Sequence, residues 1–282
     1  MKTLLKSVGL VARYDKKAAL ELAEELGKHV RTKGVEVFAE DTLKGKLKAE
    51  VEFAQLKRMK TDLVITIGGD GTILRTCISL GKPEPPILAI NMGVRGFLTE
   101  VEPKEALAAV DRCLKGEFRI QKCMKLAATA DSIKLPDALN DVVIFPDDPA
   151  KLLYTRILKD KVPILDCEAD GLMISTQTGS TGYSLSAGGP VLDPSVDAFV
   201  LTPICPLSPI RPIVFPADSK ITIEAERPRR MLILIDGRHK QLIRSKLPSL
   251  TVTRSKYETS FIRFRANFYQ RLGSRLLFKG TG

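Results

Sequence analysis

Short apolar runs alternate with amphipathic runs over the first 116 residues of the chain. The short apolar runs are rich in β-branched side chains, which predicts buried strands at residues 8–12, 35–39, 63–67 and 87–90. Residues 16–31 repeat apolar side chains at helical spacing, and residues 49–60 and 73–80 also have a helical pattern. Pro103 and Gly116 are typical of the start and the end of a further helix. Strands that alternate with helices indicate an α/β N-terminal domain with a doubly wound parallel sheet.

The pattern changes after Gly116, where short apolar runs follow one another without long helical stretches between them. We predict strands at residues 118–126, 142–145, 152–158, 172–176, 199–204, 221–226 and 231–235. Prolines and acidic turn residues separate these runs, so we expect an antiparallel, all-β (sandwich-like) C-terminal domain. We place the α/β domain at residues 1–110 and the all-β domain at residues 111–255, while residues 256–282 could pack back on the first domain.

The most informative stretch is the glycine turn at residues 68–72, which follows the third predicted strand and precedes a helix. Glycines in such a turn let a phosphate approach the backbone N–H groups closely. Asp70 is unusual there, because its charge would repel a phosphate. It suits a residue that binds a metal ion or takes a proton from a hydroxyl, and it equally suits an ordinary capping aspartate.

Three further segments have the residue types of a nucleotide site. A second glycine-rich segment, residues 91–98, follows the fourth predicted strand, so both glycine segments lie where parallel sheets bind ligands. Residues 170–190 are dense in hydroxyls and glycines, which suits ribose and phosphate oxygens or a tight loop that caps a helix. Asn140 and Asp141 stand at the start of a predicted strand, where they could accept from ribose hydroxyls or form an Asx turn.

Composition narrows the function classes. A net charge of +11 suits anionic ligands such as nucleotides or polyphosphate. Tryptophan is absent and aromatic residues are few, so we expect no nucleic-acid partner, and the basic residues near the C-terminus are predicted to form a solvated face. No apolar run reaches the ~20 residues of a spanning helix. The five cysteines are scattered and only two histidines occur, which argues against a zinc site or a Ser-His-Asp triad and favours reduced thiols in the cytoplasm.

Known phosphate-binding signatures are missing from the sequence. It contains neither Gly-x-x-x-x-Gly-Lys-Ser/Thr nor Gly-x-Gly-x-x-Gly, which disfavours a P-loop enzyme and a conventional Rossmann dehydrogenase. The segments present instead resemble, in order, those of the NAD kinase family. The matching motifs are GGDGT at residues 68–72, N-x-G-x-x-G-F-L at 91–98, Asn140-Asp141, the hydroxyl-rich signature at 170–190, the proline motifs at 202–206 and 211–214, and Asp236-Gly237.

The resemblance implies phosphorylation of the 2′-hydroxyl of the adenosine ribose of NAD to NADP, with ATP or polyphosphate as donor and a divalent metal such as Mg²⁺ or Mn²⁺. It implies that Asp70 is the catalytic base, or that Asp70 orients the hydroxyl together with the metal, and it leaves the metal ligands unassigned. The implied NAD-binding residues are Asp70, Gly71, Arg75, Phe97, Asn140, Asp141, Lys151, Glu168, Asp170, Thr178, Thr181, Gly182, Tyr183, Ser184, Leu185, Ser186 and Arg238. The implied phosphate-binding residues are Gly68, Gly69, Gly71 and Thr72. A homodimer or homotetramer is expected on the same ground.

Three residues depart from the motifs of the family. Asp141 is one methylene shorter than the usual glutamate, so its ribose contact could shift or pass through water. Gly182 replaces the usual alanine, which loosens the loop. Glu168 stands where some relatives have a basic residue, which bears on product binding and on the preference between NAD and NADH.

Two other functions use part of the same pattern. Lipid kinases of the diacylglycerol or sphingosine type also have a GGDGT-like turn, although Asn140-Asp141 and the 178–190 loop weigh against them. A non-catalytic nucleotide-binding regulator on the same scaffold is the other alternative, against which the presence of Asp70 argues.

Overall fold

The computed structural model describes residues 5–48, 51–93, 96–265 and 268–276, with side chains in the last range up to residue 273. Of these residues, those up to Lys122 and from Thr259 onward form one compact unit, and Cys123–Glu258 form a second. No helix among the described residues is long and apolar enough to cross a membrane.

The first unit is built on a parallel sheet flanked by helices. Its strands are β1 (Ser7–Ala12), β2 (Glu36–Glu40), β3 (Glu52–Ala54), β4 (Leu63–Gly68) and β5 (Ile87–Asn91), in the order β3-β2-β1-β4-β5. Its helices are α1 (Lys17–Thr32), α2 (Asp70–Ser79) and α3 (Ala106–Lys115). Leu10 pairs with Ile65 in the parallel register, and both side chains are fully buried. The predicted doubly wound arrangement is therefore confirmed, and it places the ends of β4 and β5 side by side.

The predicted helix at residues 49–60 is wrong where the structure describes it; Ala49 and Glu50 lie outside the described residues. The chain there forms β3, which pairs with β2, and then a 3₁₀ turn at Leu56–Arg58. Leu56 and Met59 are both buried and lie three residues apart, which is a spacing typical of one face of a helix. Residues 52–54 form a strand instead, because the backbone N–H and C=O groups at the free edge of β2 need hydrogen-bond partners.

The second unit is largely antiparallel. Strands with residues in it are β6 (Arg119–Ala130), β7 (Ile133–Lys134), β8 (Asp141–Pro146), β9 (Leu153–Lys159), β10 (Val162–Ser175), β11 (Ala198–Pro206), β12 (Ile213–Pro216), β13 (Ile221–Arg227), β14 (Arg230–Ile235), β15 (His239–Arg244) and β16 (Ser249–Arg263). Two short helices, α4 (Gln177–Ser180) and α5 (Tyr183–Ser186), follow β10. A final helix, α6 (Phe268–Leu276), belongs to the first unit.

All seven strands predicted after Gly116 are present, so the antiparallel β region is confirmed, while its sandwich-like layering stays a prediction. β10 begins ten residues before the predicted 172–176, because its exposed first half forms a hairpin with β9. β7, β12, β15 and β16 were not predicted, since they are short, edge-like or strongly polar.

Candidate functional site

Asp70 lies at the carboxyl end of β4, on the first turn of α2. The N-cap of α2 is Gly69, so Asp70 is not the capping residue of this helix. Its carboxylate accepts N–H hydrogen bonds from Phe97, at 3.0 and 3.1 Å, and from Leu98, at 3.0 Å. The two glycine-rich segments of the first unit thus meet at the Asp70 carboxylate, and the backbone N–H groups stabilise its charge.

The glycine at the end of β4 is required by close packing. A Cβ added to Gly68 would lie 2.2 Å from the Thr72 hydroxyl oxygen, whereas one added to Gly69 would meet no atom within 4 Å. Gly71 and Thr72 form the first turn of α2, where the Thr72 N–H donates to the Gly69 carbonyl at 2.9 Å and none of the described backbone hydrogen bonds uses the Gly71 N–H. The turn therefore keeps N–H donors available for an anion.

Arg75 and Phe97 have partners inside the first unit. The Arg75 guanidinium donates to both oxygens of Glu40, at 2.6 and 2.7 Å, and the Glu40 side chain is fully buried. These hydrogen bonds raise the pKa of Arg75 above its ordinary value. The Phe97 ring packs edge-on against Phe268 of α6, at 5.6 Å between centroids. Arg75 thus neutralises a buried carboxylate, whatever else it contacts.

In the second unit, Asp236 organises the Asn140–Asp141 segment. This aspartate follows β14 and accepts the N–H groups of Leu139, Asn140 and Asp141 at 2.8, 2.7 and 3.0 Å. The Asp236 N–H in turn donates to the Asp141 carbonyl at 3.0 Å. Asp236 and Gly237 have positive φ angles of 49° and 62°, so the turn can present the carboxylate to three successive N–H groups.

The segment that follows β10 packs directly on Asn140. Thr176 caps α4 by accepting the Gly179 N–H at 3.1 Å, and its hydroxyl donates to the Leu139 carbonyl at 2.6 Å. A Cβ added to Gly179 would lie 2.0 Å from the Asn140 carbonyl oxygen, so only glycine fits this approach. Among the described residues no donor reaches the buried Asn140 Oδ1. An amide oxygen of this kind is ready to accept from a ligand.

Residues of the 178–186 loop differ in their exposure. Thr181 and Ser184 are buried, and they bond to the Thr178 carbonyl at 3.1 Å and the Thr202 hydroxyl at 2.9 Å. Thr178, Gly182 and Leu185 are half-buried, while Tyr183 and Ser186 are exposed. Burial, and then electrostatic interaction with Cys205, Asp141 and Asp170, raise the pKa of Tyr183. Thr181 and Ser184 are thus bonded within the protein, while Tyr183 and Ser186 are accessible from solvent.

Glu168 and Asp170 are exposed on β10, two residues apart on the same face. Lys151 is exposed in the turn before β9, where it lies 3.5 Å from Asp148. Arg238 is exposed in the turn after β14, two residues beyond Asp236. The structure gives these four residues no contact with Asn140 or Asp141 among the described hydrogen bonds and ion pairs.

Sequence reasoning missed the roles of Asp236 and Lys125. Burial raises the pKa of Asp236, and its three backbone hydrogen bonds, followed by the charge of Lys125, partly offset this rise; Lys125 is fully buried on β6. The Asp-Gly pair after an apolar strand could have indicated the turn at Asp236. The sequence does not indicate that Lys125 is buried. Apolar residues surround it in β6, so no alternation of polar and apolar positions shows which face of the strand is buried.

Asp141 gives the second unit a testable pH dependence. Burial, and then repulsion from Asp236, raise the pKa of Asp141 from 3.8 to about 7. The native state therefore holds this proton at pH values where the unfolded chain has lost it, so the free energy of unfolding falls as pH rises from about 4 to about 7. We expect Asp141→Asn to flatten this slope, measured by denaturant unfolding at pH 5 and pH 7.5.

The control for this experiment is Asp166→Asn, since the Asp166 side chain is 73 % exposed. It should keep the wild-type slope. If Asp141→Asn leaves the pH dependence of the free energy of unfolding unchanged, another group is responsible for it. Asp236, whose pKa is also raised, is then the first to test.

Comparisons with known proteins agree with this arrangement. Residues 8–118 match the model of the ATP-NAD kinase N-terminal domain, and residues 139–264 match that of the C-terminal domain. The chain is 37% identical over 276 residues to the NAD kinase of Methanothermobacter thermautotrophicus, covering 97% of each protein. It is 39% identical over 270 residues to that of Thermococcus sibiricus, covering 93% of this chain and 95% of the relative.

Solved structures give the same result. Yeast NADH kinase complexed with NADH superimposes with a TM-score of 0.88 at 25% identity, over 99% of this chain and 89% of that one. An NAD kinase from Archaeoglobus fulgidus in complex with ATP superimposes with a TM-score of 0.79 at 25% identity, over 95% and 99%. With both family regions present and such relatives over nearly its whole length, the chain belongs to the NAD kinase family and phosphorylates NAD to NADP with ATP.

Proposed function

We propose that Asp70 is the general base of this reaction and takes the proton from the 2′-hydroxyl of the adenosine ribose. The observation that supports this role is the setting of its carboxylate at the end of β4. Among the described residues, its hydrogen-bond partners are backbone N–H groups, not a lysine or arginine. A carboxylate held in this way has its orientation fixed and still has lone pairs for a hydroxyl.

In this proposal the all-β part, residues 111–255, binds NAD, and the α/β part, residues 1–110, supplies the base. Asn140 accepts from the adenosine through its unpartnered amide oxygen, and Asp141 contacts the ribose hydroxyls. The other NAD-binding residues proposed are Gly71, Arg75, Phe97, Lys151, Glu168, Asp170, Thr178, Thr181, Gly182, Tyr183, Ser184, Leu185, Ser186 and Arg238. Arg75 can take this part only while it keeps its ion pair with buried Glu40.

Phosphate oxygens are proposed to bind the turn at Gly68, Gly69, Gly71 and Thr72. The N–H groups that precede Thr72 supply donors for them, since the Thr72 N–H itself donates to the Gly69 carbonyl. As the ribose oxygen bonds to the transferred phosphorus, its proton moves to Asp70 and the bond from phosphorus to the donor's bridging oxygen breaks. The donor leaves as ADP, or as a polyphosphate shortened by one unit.

A divalent cation, Mg²⁺ or Mn²⁺, is part of the proposal. The described residues contain no group of three or more His, Cys, Asp or Glu side chains that could hold a metal. Magnesium in phosphoryl-transfer sites is usually held by one or two carboxylates together with phosphate oxygens, so Asp70 would hold it in the alternative role, in which Asp70 orients the hydroxyl together with the metal. When bound, the cation neutralises charge on the phosphate oxygens.

The test is NADP formation by the purified chain with NAD and Mg²⁺, and with ATP or polyphosphate in separate reactions. We expect NADP with ATP, and the polyphosphate reaction decides whether the donor range is wider. Lipid phosphorylation without NADP would favour the lipid-kinase alternative. Nucleotide binding without turnover would favour a regulator.

Assembly and location complete the proposal. We propose a homodimer or homotetramer in the cytoplasm, by kinship with the family. The cysteines at positions 77, 113, 123, 167 and 205 are thiols and not half-cystines, which suits a reducing compartment. Light scattering on the purified protein measures the assembly.

A further inference from the structure

The peptide group between Phe97 and Leu98 has a charged donor on one side and Asp70 on the other. Its N–H, from Leu98, donates to Asp70 Oδ1 at 3.0 Å. Its carbonyl, from Phe97, accepts from the Arg271 guanidinium at 3.1 Å. A cationic donor at the carbonyl oxygen polarises the peptide group and strengthens the hydrogen bond made by its N–H. Arg271 therefore acts on the Asp70 carboxylate through a single peptide group.

The next peptide group is held by a second arginine. Arg263 donates to the Leu98 carbonyl at 2.9 Å and to the Gln121 amide oxygen at 2.7 Å. Its side chain is buried. Phe97 and Leu98 each donate an N–H to Asp70. Their carbonyl groups each accept from a guanidinium group of the C-terminal segment.

Glu100 holds both guanidinium groups in place. Its side chain is 1% exposed and lies 3.3 Å from Arg263 and 2.5 Å from Arg271. Its other oxygen accepts the Phe264 N–H at 2.7 Å. A carboxylate this deeply buried and this fully bonded orients its partners with little freedom. The network of Glu100, Arg263 and Arg271 is therefore rigid enough to set the position of the 97–98 backbone.

We propose that Arg271 is a positioning residue for Asp70. It is placed by α6, whose sequence is far from the glycine turn, and it acts on the base through the peptide group between Phe97 and Leu98. The proposal rests on the proposed role of Asp70 and adds to it a part for the C-terminal helix. Arg263 supports the same loop one peptide group further on.

The test uses the full chain with Arg271→Met, which removes the charge and the donors but keeps the length of the side chain. We expect kcat for NADP formation to fall about 10-fold to 100-fold, the size of a small misplacement of a catalytic group. The KM for NAD should change by less than about 3-fold, because NAD-binding groups remain. Arg271→Lys should recover part of the loss.

A second measurement separates positioning from general loss of structure. In an Asp70→Asn background, Arg271→Met should lower kcat little further, since the base it positions is gone. If the double variant instead shows the product of the two separate losses in kcat, the proposal is overturned. Arg265→Met is the matched control, because Arg265 lies on the same segment, is 73% exposed and pairs with Glu105 at 3.6 Å.

Hydrogen exchange provides a readout that does not depend on activity. Exchange of the Leu98 amide should be faster in Arg271→Met than in the wild type and unchanged in Arg265→Met. Unchanged exchange with unchanged kcat would refute the positioning role while leaving the role of Asp70 intact. A wild type that forms no NADP would refute the proposed function, and the exchange result would still decide whether Arg271 holds this loop.

Discussion

Asp70→Asn is expected to lower kcat for NADP formation about 10²-fold or more, the range of a lost general base. Asparagine has nearly the same shape and can still accept the Leu98 N–H through its amide oxygen. It cannot take a proton, and its amide group would face the Phe97 N–H that Oδ2 accepts at 3.0 Å. The measurement is steady-state NADP formation at saturating NAD and ATP, with NAD affinity measured separately by calorimetry.

The matched control is Asp62→Asn. Asp62 also accepts two backbone N–H groups, from Lys6 and Ser7 at 2.7 and 3.0 Å. It precedes β4, however, and so lies at the amino end of the strand whose carboxyl end carries Asp70. We expect it to keep wild-type kcat. Equal losses in the two variants would mean that the Asp70 effect comes from disturbed backbone contacts and not from a missing base.

Gly179→Ala is expected to raise the KM for NAD by about 10-fold or more, since a backbone shift near 1 Å in a binding segment has effects of this order. The added Cβ would lie 2.0 Å from the Asn140 carbonyl oxygen, which belongs to the backbone and cannot rotate away. Either α4 or the Asn140–Asp141 segment must move. Overpacking of this kind costs about 1–3 kcal/mol of stability, measurable by thermal unfolding alongside the kinetics.

Gly182→Ala, in the same loop, is the control. Its Cβ would meet the Gly179 carbonyl oxygen at 3.1 Å, a contact that small adjustments relieve, and alanine is usual here in the motif that the loop resembles. We expect wild-type KM and stability. A loss as large as that of Gly179→Ala would mean that the loop tolerates no Cβ at all, and that the Asn140 contact is not the cause.

Local chemistry made several features predictable. Strands β1, β2, β4 and β5 are short apolar runs, and α1 repeats apolar residues at helical spacing, so pattern and structure agree. The helix predicted at 49–60 failed because a pairing partner, β2, outweighed local periodicity. β16 was not predicted because only its pairing with distant strands makes a polar, charged segment extended.

The candidate site divides in the same way. The residue types of Asp70, Asn140 and Asp141 and their order along the chain pointed to nucleotide phosphorylation. The sequence does not reveal that Asp236 holds the Asn140–Asp141 backbone, because Asp236 lies 95 residues beyond Asp141. Nor does it reveal that Arg75 is the partner of buried Glu40.

The sequence by itself therefore determined the fold class, the family and the identity of the candidate base, since these follow from local patterns and short motifs. Only the tertiary structure decided which groups hold those motifs in place. These contacts join segments that are distant in sequence: Asp236 accepts from the Asn140 N–H, Glu40 pairs with Arg75, and Arg271 donates to the peptide group that bonds to Asp70. Their strength comes from burial, which removes competing water and makes each unpaired polar group costly, and burial is fixed only when the chain is folded.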